Sequence, residues 1–298
     1  MSKKPTPKSA PHQVETTGHS WDGIEELNNP LPRWWVWVLY ATIVWGVWYT
    51  IAYPAWPVGR EGATAGYKGF STRGQVAEEI AAANEANAAM MTRLAEADLT
   101  TLTDDPELHS LAVNGGRRIF AANCSQCHGS GAAGVQAASY PSLLDDDWLW
   151  GGTIEDIAYT VTHGIRNEQS PDTRWSQMTA FGEILSAEEI AQVVQHVRDI
   201  SGQEHDATLA AAGEEVFLNN CSACHGEMGE GNHDLGAPRL NDAIWLYGGS
   251  VERITETVTY ARFGVMPSWS EEWRGASGLS QAEINAVASY VHQLGGGQ

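Results

Sequence analysis

The stretches Cys124-Ser125-Gln126-Cys127-His128 and Cys221-Ser222-Ala223-Cys224-His225 hold all four cysteines of the 298-residue chain. A Cys-x-x-Cys-His run supplies two thiols that form thioethers with the vinyl groups of haem, and an adjacent imidazole that ligates its iron. The competing uses of such cysteines are a zinc site, a thioredoxin-like redox pair and a disulfide framework. Zinc would draw the two Cys-x-x-Cys halves from nearby sequence, and a redox pair calls for a βαβ setting. Here the halves lie 97 positions apart and each keeps its own histidine. The reading is two covalently bound haem c groups, one on Cys124 and Cys127, the other on Cys221 and Cys224, with His128 and His225 as axial iron ligands.

Laying Cys124 on Cys221 matches the chain to itself without a gap. Gly116, Phe120, Pro141, Leu143, Asp145 and Trp148 fall on Gly213, Phe217, Pro238, Leu240, Asp242 and Trp245. A period near one hundred residues exceeds that of solenoid repeats and suits a small domain present twice. Each copy reads as helical. Gly116 to Ala122 and Gly213 to Asn219 lead into the Cys motifs, and Ile154 to Val161 and Val251 to Val258 lie mid-copy. Ser186 with Glu189 and Ser280 with Glu283 open the last helices as capping boxes.

With long glycine-rich loops between three or four helices, both copies resemble class I cytochrome c domains. That resemblance implies a proline loop whose carbonyl accepts the proximal imidazole proton, matched here by Pro141 and Pro238, which would fix the tautomer of His128 and His225. It also implies a distal methionine on each iron. Met266, in Gly264-Val265-Met266-Pro267, matches the Met-Pro loop and is assigned to the second iron. Met178, followed by Thr179 instead of proline, is assigned to the first, with His163 as its rival. Met228 and His233 are weaker rivals at the second site, on the loop beside the proximal side. Trp148, Trp245, Arg166 and Arg262 are possible partners of the haem propionates.

Residues 34–53 form an uncharged run of twenty, rich in tryptophan and bounded by Pro32-Arg33 and Pro54. At about 1.5 Å per residue it spans the roughly 30 Å hydrocarbon layer of a membrane. Trp34, Trp35, Trp48 and Trp56 mark its ends as an aromatic belt. A cleavable signal would start earlier, be shorter and finish in small residues. Lys3, Lys4, Lys8 and Arg33 before the span and Arg60, Lys68 and Arg73 after it leave orientation open. Haem attachment decides it, because in the proteins resembled this is extracytoplasmic. The expected architecture is all-α, an N-terminal single transmembrane helix followed by two tandem class I cytochrome c domains. Its parts are a cytoplasmic segment at 1–32, a transmembrane helix at 33–56, a periplasmic linker with a helix near Gln75 to Asp98 at 57–107, and haem domains at 108–203 and 204–298. Met90 and Met91 belong to the linker helix and are expected to pack on a neighbouring surface.

Residues 1–56 hold four acids and four bases, so the whole net charge of −20 falls on the remainder. That charge excludes a nucleic-acid partner, keeps an exposed portion soluble, and suits steering of a basic electron donor. The run Asp22-Gly23-Ile24, followed by Asn29-Pro30-Leu31-Pro32-Arg33-Trp34-Trp35, sharpens the reading. With one span and two haem domains, it resembles the dihaem c-type cytochrome subunit (subunit III, CcoP/FixP family) of cbb3-type cytochrome c oxidase. The resemblance implies an inner-membrane subunit of an ion-transporting respiratory complex. It would take electrons from soluble cytochrome c or the bc1 complex and pass them, through a monohaem c-type subunit, to a haem–copper catalytic subunit. One span without histidine cannot hold intramembrane haem b and copper, so the chain is no enzyme by itself. The alternatives are a free-standing membrane-anchored dihaem shuttle and a dihaem peroxidase, which needs one open distal site.

Overall fold

In the computed structural model, which describes residues 14–59 and 62–297, contacts divide the chain into two units, Met1–Glu85 and Ala86–Gln298. Lys3, Lys4, Lys8 and Arg60 lie outside the described residues. In the first unit, strands β1 (Thr16–Trp21) and β2 (Ile24–Leu27) pair antiparallel. Asp22 (φ 52°) and Gly23 (φ 82°) turn between them, the left-handed pair that a two-residue hairpin demands and that an Asp-Gly dipeptide supplies. The all-helical expectation passes over this hairpin.

Helix α1 (Arg33–Ala52) is long and apolar enough to cross a membrane, and only 6% of its apolar window is buried in the protein. It stops four residues short of the expected end at 56. Pro54 disfavours the helical region for Tyr53, which is extended at φ −119°, ψ 162°. The amides of Tyr67 and Lys68 return to the Ile51 and Ala52 carbonyls (3.2 and 3.1 Å), satisfying acceptors that a helix end leaves open. The Lys68 ammonium lies over the rings of Trp48 and Tyr53 at 5.5 and 5.3 Å. Helix α2 (Thr72–Ala95) is the expected linker helix, shifted three residues toward the N-terminus.

The second unit contains α3 (Pro106–Ile119), the one-turn α4 (Ser125–His128), α5 (Ile154–His163) and α6 (Ala187–Ile200), then α7 (Ala207–Asn220), the one-turn α8 (Ser222–His225), α9 (Val251–Tyr260), the short α10 (Glu271–Arg274) and α11 (Gln281–His292). Side chains of Asp105, Thr153, Asp206 and Ser250 cap α3, α5, α7 and α9. Ser186 with Glu189 and Ser280 with Glu283 form both expected capping boxes.

The packing of these helices corrects the expectation of self-contained domains at 108–203 and 204–298. Helix α3 packs on α11, the last helix of the other copy, and α5 packs there too; α6 packs on α7 and α9. One core joins Phe120, Ile157 and Val161 to Ile284, Val287, Ala288 and Val291. The other joins Ile190, Val193, Val194 and Val197 to Phe217, Ile254 and Val258. Phe120 meets Tyr290 with ring centres 5.5 Å apart, and Phe217 meets His196 at 5.2 Å. Each closed core therefore takes its last helix from the opposite copy. The cause is the join of residues 201–206 between α6 and α7, because so short a connection makes consecutive helices immediate neighbours. With α6 held against α7, α11 is the remaining helix that fits α3.

A third cluster lies beside the first. Leu94, Leu102, Leu108, Ala112, Ala282 and Ala286 are buried together, with Met90 and Met91 packed against them, as expected of these two methionines. The Asn285 side chain, 3% exposed, donates to the Leu94 carbonyl at 2.8 Å, so the end of α2 is tied to α11.

Candidate functional site

Both Cys-x-x-Cys-His motifs sit where a long helix gives way to a single turn. In the first, a wide helical turn at Phe120–Cys124 runs into α4; in the second, α7 ends at Cys221 and α8 follows. Phe120 and Phe217, 1% and 0% exposed, anchor these junctions, each burial worth roughly 1.5–3 kcal/mol. His128 Nδ1 lies 3.1 Å from the Pro141 carbonyl oxygen, and His225 Nδ1 lies 2.9 Å from that of Pro238. A carbonyl only accepts, so Nδ1 carries the proton and donates, leaving each Nε2 lone pair free for a metal. Burial lowers both imidazole pKa values, against a smaller opposing effect of the proline carbonyls, which favours the neutral ring that ligation requires. Burial, with a smaller effect of the neighbouring thiol, pushes Cys124 and Cys221 up to about 11. Both are therefore protonated thiols at neutral pH.

The distal methionines follow the exchanged helices. Met266 packs with Cys124, Trp148 and Trp269 around the first core. Met178 packs with Cys221, Phe181, Leu240 and Trp245 around the second. Each methionine thus packs on the core that holds the other copy's first cysteine, whereas the sequence expectation set Met178 against His128 and Met266 against His225. The Met266 loop is fixed to the end of α5 by paired backbone bonds with Ile165 (2.9 and 3.0 Å) and by Trp269 N–H to the Val161 carbonyl (2.9 Å). The Ser268 hydroxyl adds a bond to the Thr162 carbonyl at 2.6 Å.

None of the rivals is among the residues packed in these two cores. His163 Nδ1 contacts the Ser170 hydroxyl at 2.9 Å and its ring packs on Tyr159 at 4.5 Å. Met228 is 74% exposed and His233 is exposed. Of the residues considered for the propionates, Trp148 donates its indole N–H to the Gly296 carbonyl. Arg262 is consumed by Glu256, Thr257 and two backbone carbonyls, and Arg166 by the carbonyls of Ser176 and Gly264. Trp245 Nε1 is different: buried and without a partner, like Trp150 Nε1, Trp273 Nε1 and Arg174 Nε. Buried donors of this kind demand an acceptor, which at Trp245 a haem carboxylate would supply. The sequence singled out Trp245; Trp150, Trp273 and Arg174 carried no recognisable signal, because loop folding alone buries them. A paired thiol, a free imidazole Nε2, a thioether packed on the same core as the first cysteine and an orphaned indole donor fit a covalently held haem.

Asp147 lies beside Trp148 in a seam with Glu230, His233 and Arg239. Burial first, then the charges of Asp242 and Asp145, push its carboxyl to about 6, against the pull of Arg239. The folded state thus holds this proton more tightly than the unfolded chain does. The associated stability is full below the ordinary value near 3.8 and is lost as pH rises through about 6. Asp147→Asn is expected to raise Tm by ~2–4 °C at pH 8 and to leave it unchanged at pH 4, as thermal melts at the two pH values would read.

Comparison with known proteins places the chain. Residues 13–60 match the family model described as the N-terminal domain of cytochrome oxidase-cbb3, FixP. Residues 111–197 match that of cytochrome c oxidase, cbb3-type, subunit III, and residues 210–295 match cytochrome c. The chain is 56% identical to the cbb3-type cytochrome c oxidase subunit CcoP of Cereibacter sphaeroides over the full length of both. It is 53% identical to CcoP of Rhodobacter capsulatus, again over both full lengths. With FixP of Azorhizobium caulinodans it shares 48% identity over 95% of this chain and 94% of that one. The chain belongs to the CcoP/FixP family of cbb3-type cytochrome c oxidase subunits, as a dihaem electron-transfer subunit with two covalently bound haem c groups.

Proposed function

We propose that this chain is the electron-entry subunit of its oxidase. It is anchored by α1 with residues 1–32 in the cytoplasm and both haem sites in the periplasm of a bacterial inner membrane. The iron ligands are His128 with Met266, and His225 with Met178. The observation that carries this reading is that the first cysteine of each Cys-x-x-Cys-His motif and one methionine pack on the same core, Cys124 with Met266 and Cys221 with Met178, while each motif histidine is bonded to its proline carbonyl. Two filled axial positions favour electron transfer and leave no open site for peroxide chemistry. When bound, each haem supplies a one-electron ferric/ferrous couple. The residues of the chain fix the imidazole tautomer, present the thioether, keep water from the iron through the two apolar cores, and offer Trp245 Nε1 to a carboxylate. Donors are a soluble cytochrome c or the bc1 complex; the acceptors are a monohaem c-type subunit and, beyond it, a haem–copper subunit. The chain reduces no oxygen itself.

Isolation in mild detergent, with mass spectrometry and oxygen-uptake assays, tests the proposal. Co-isolation with a haem–copper subunit and cytochrome c-driven oxygen uptake are expected. A chain that isolates alone and still exchanges electrons between soluble partners is a free shuttle, and rapid peroxide binding by the half-reduced protein would mark a peroxidase.

A further inference from the structure

The two copies differ in one systematic way around their Cys motifs. From Asn114 to Tyr140 the first copy carries two bases, Arg117 and Arg118, and no acid; the equivalent stretch, 211–237, carries five acids and neither lysine nor arginine. Glu214 and Glu215 occupy the positions of Arg117 and Arg118, and Glu227, Glu230 and Asp234 replace Ser130, Ala133 and Ala137. All five acids and both arginines are exposed. The apolar residues change in parallel. Leu218 (44% exposed) and Met228 (74% exposed) stand in the second copy where Ala121 and Gly131 stand in the first, and Cys224 is exposed between them in sequence. Leu218 lies one helical turn beyond Glu214 and one before Ser222, so the side chains form a stripe leading to the motif. The Glu230 carboxylate accepts from the Met228 amide at 2.9 Å, and a Cβ at Gly226 would collide with it. That places one acid against the loop that follows His225.

We propose that the face around Cys224, which carries the exposed Leu218 and Met228 together with Glu214, Glu215, Glu227 and Glu230, docks a lysine-rich electron-carrying protein. The haem on Cys221 and Cys224 is then the entry site and the haem on Cys124 and Cys127 is second. Exposed apolar residues among charges of one sign are the pattern of a transient interface, the charges speeding encounter and the apolar residues desolvating on contact. Arg117 and Arg118 turn the same partner away from the first motif. In the step itself one electron leaves the partner's ferrous iron and reduces the ferric iron of the second site, with no atom transferred. The inference rests on the reading of the chain as a subunit that receives electrons from a protein donor.

The test uses the purified oxidase complex and mitochondrial-type, lysine-rich cytochrome c as the probe. The readouts are Kd and the bimolecular rate of electron transfer at several salt concentrations. The triple reversal Glu214→Lys, Glu215→Lys, Glu227→Lys is expected to weaken binding and slow transfer at least about tenfold at low salt. The gap should close near 1 M salt, where the Debye length is about 3 Å. The corresponding triple glutamine variant, retaining both haem c spectra, should show a smaller loss in the same direction. Arg117→Glu with Arg118→Glu should not weaken binding. Wild-type Kd and salt slope in both glutamate-site triples, or loss of binding on reversing the arginines, would overturn the proposal. Oxygen uptake by the wild-type complex fed with a small aromatic diamine bypasses docking, so failure there strikes the oxidase reading and leaves the docking result to be judged by Kd.

Discussion

Gly116→Val is expected to destabilise the second unit by about 3 kcal/mol, the upper end of ordinary overpacking effects. A Cβ at Gly116 would collide with the Ala286 carbonyl oxygen and stand 2.8 Å from Tyr290 Cβ, both on α11. Neither can yield freely, since the first is helix backbone and the second roots a ring packed on Phe120. At the adjacent Gly115 a Cβ would meet only the Ala286 methyl, at 3.9 Å. Gly115→Val is therefore the matched control, expected to change stability by less than about 1 kcal/mol. Urea titrations of the two variants, followed by haem absorbance, give the comparison. Gly213 plays the same part where α7 crosses α6, pressed against the Gln192 carbonyl. Self-contained copies would set Gly116 against α6, so a Gly116→Val effect relieved by changes in α6 and not in α11 would count against the observed packing.

Met266→Ala is the second large expected effect. It should abolish the near-infrared methionine-to-iron charge-transfer band of one haem, open that iron to carbon monoxide and lower its potential, while the other haem keeps its band. Met178→Ala should do the same to the other haem. What separates this account from the simpler one is the identity of the affected site. Met266 packs on the same core as Cys124 and Trp269, so the iron expected to open in Met266→Ala is the one proposed on His128, 138 positions earlier in the chain.

Much of this was legible in the sequence, for local reasons. The Cys motifs, the matched Gly116/Gly213 and Phe120/Phe217 pairs, the capping boxes at Ser186 and Ser280 and the prolines accepting from His128 and His225 are all short-range features, and the structure bears each out. The choice of partner for each copy was not legible. An internal repeat carries the same pattern twice, so α3 and α7 look equally able to accept α6 or α11. The deciding feature, the join of residues 201–206, is readable only as a geometric constraint. Its shortness points to self-contained domains when the copies are pictured as beads, and to exchange once α6 and α7 are seen as neighbours. The hairpin at Thr16–Leu27 was missed for another reason: Asp22-Gly23 is a strong turn signal flanked by strands with no buried face. Orphaned donors such as Trp150 Nε1 and Arg174 Nε arise from loop packing that no periodicity encodes.

The central claim is that each haem compartment is built from both copies. It is tested most directly in the full-length chain with the second attachment site removed by Cys221→Ala and Cys224→Ala, leaving haem only on Cys124 and Cys127. Near-infrared spectra of this protein should show one methionine charge-transfer band. Adding Met266→Ala is expected to abolish the band, and adding Met178→Ala to leave it in place. A band lost with Met178→Ala and retained with Met266→Ala would contradict the claim.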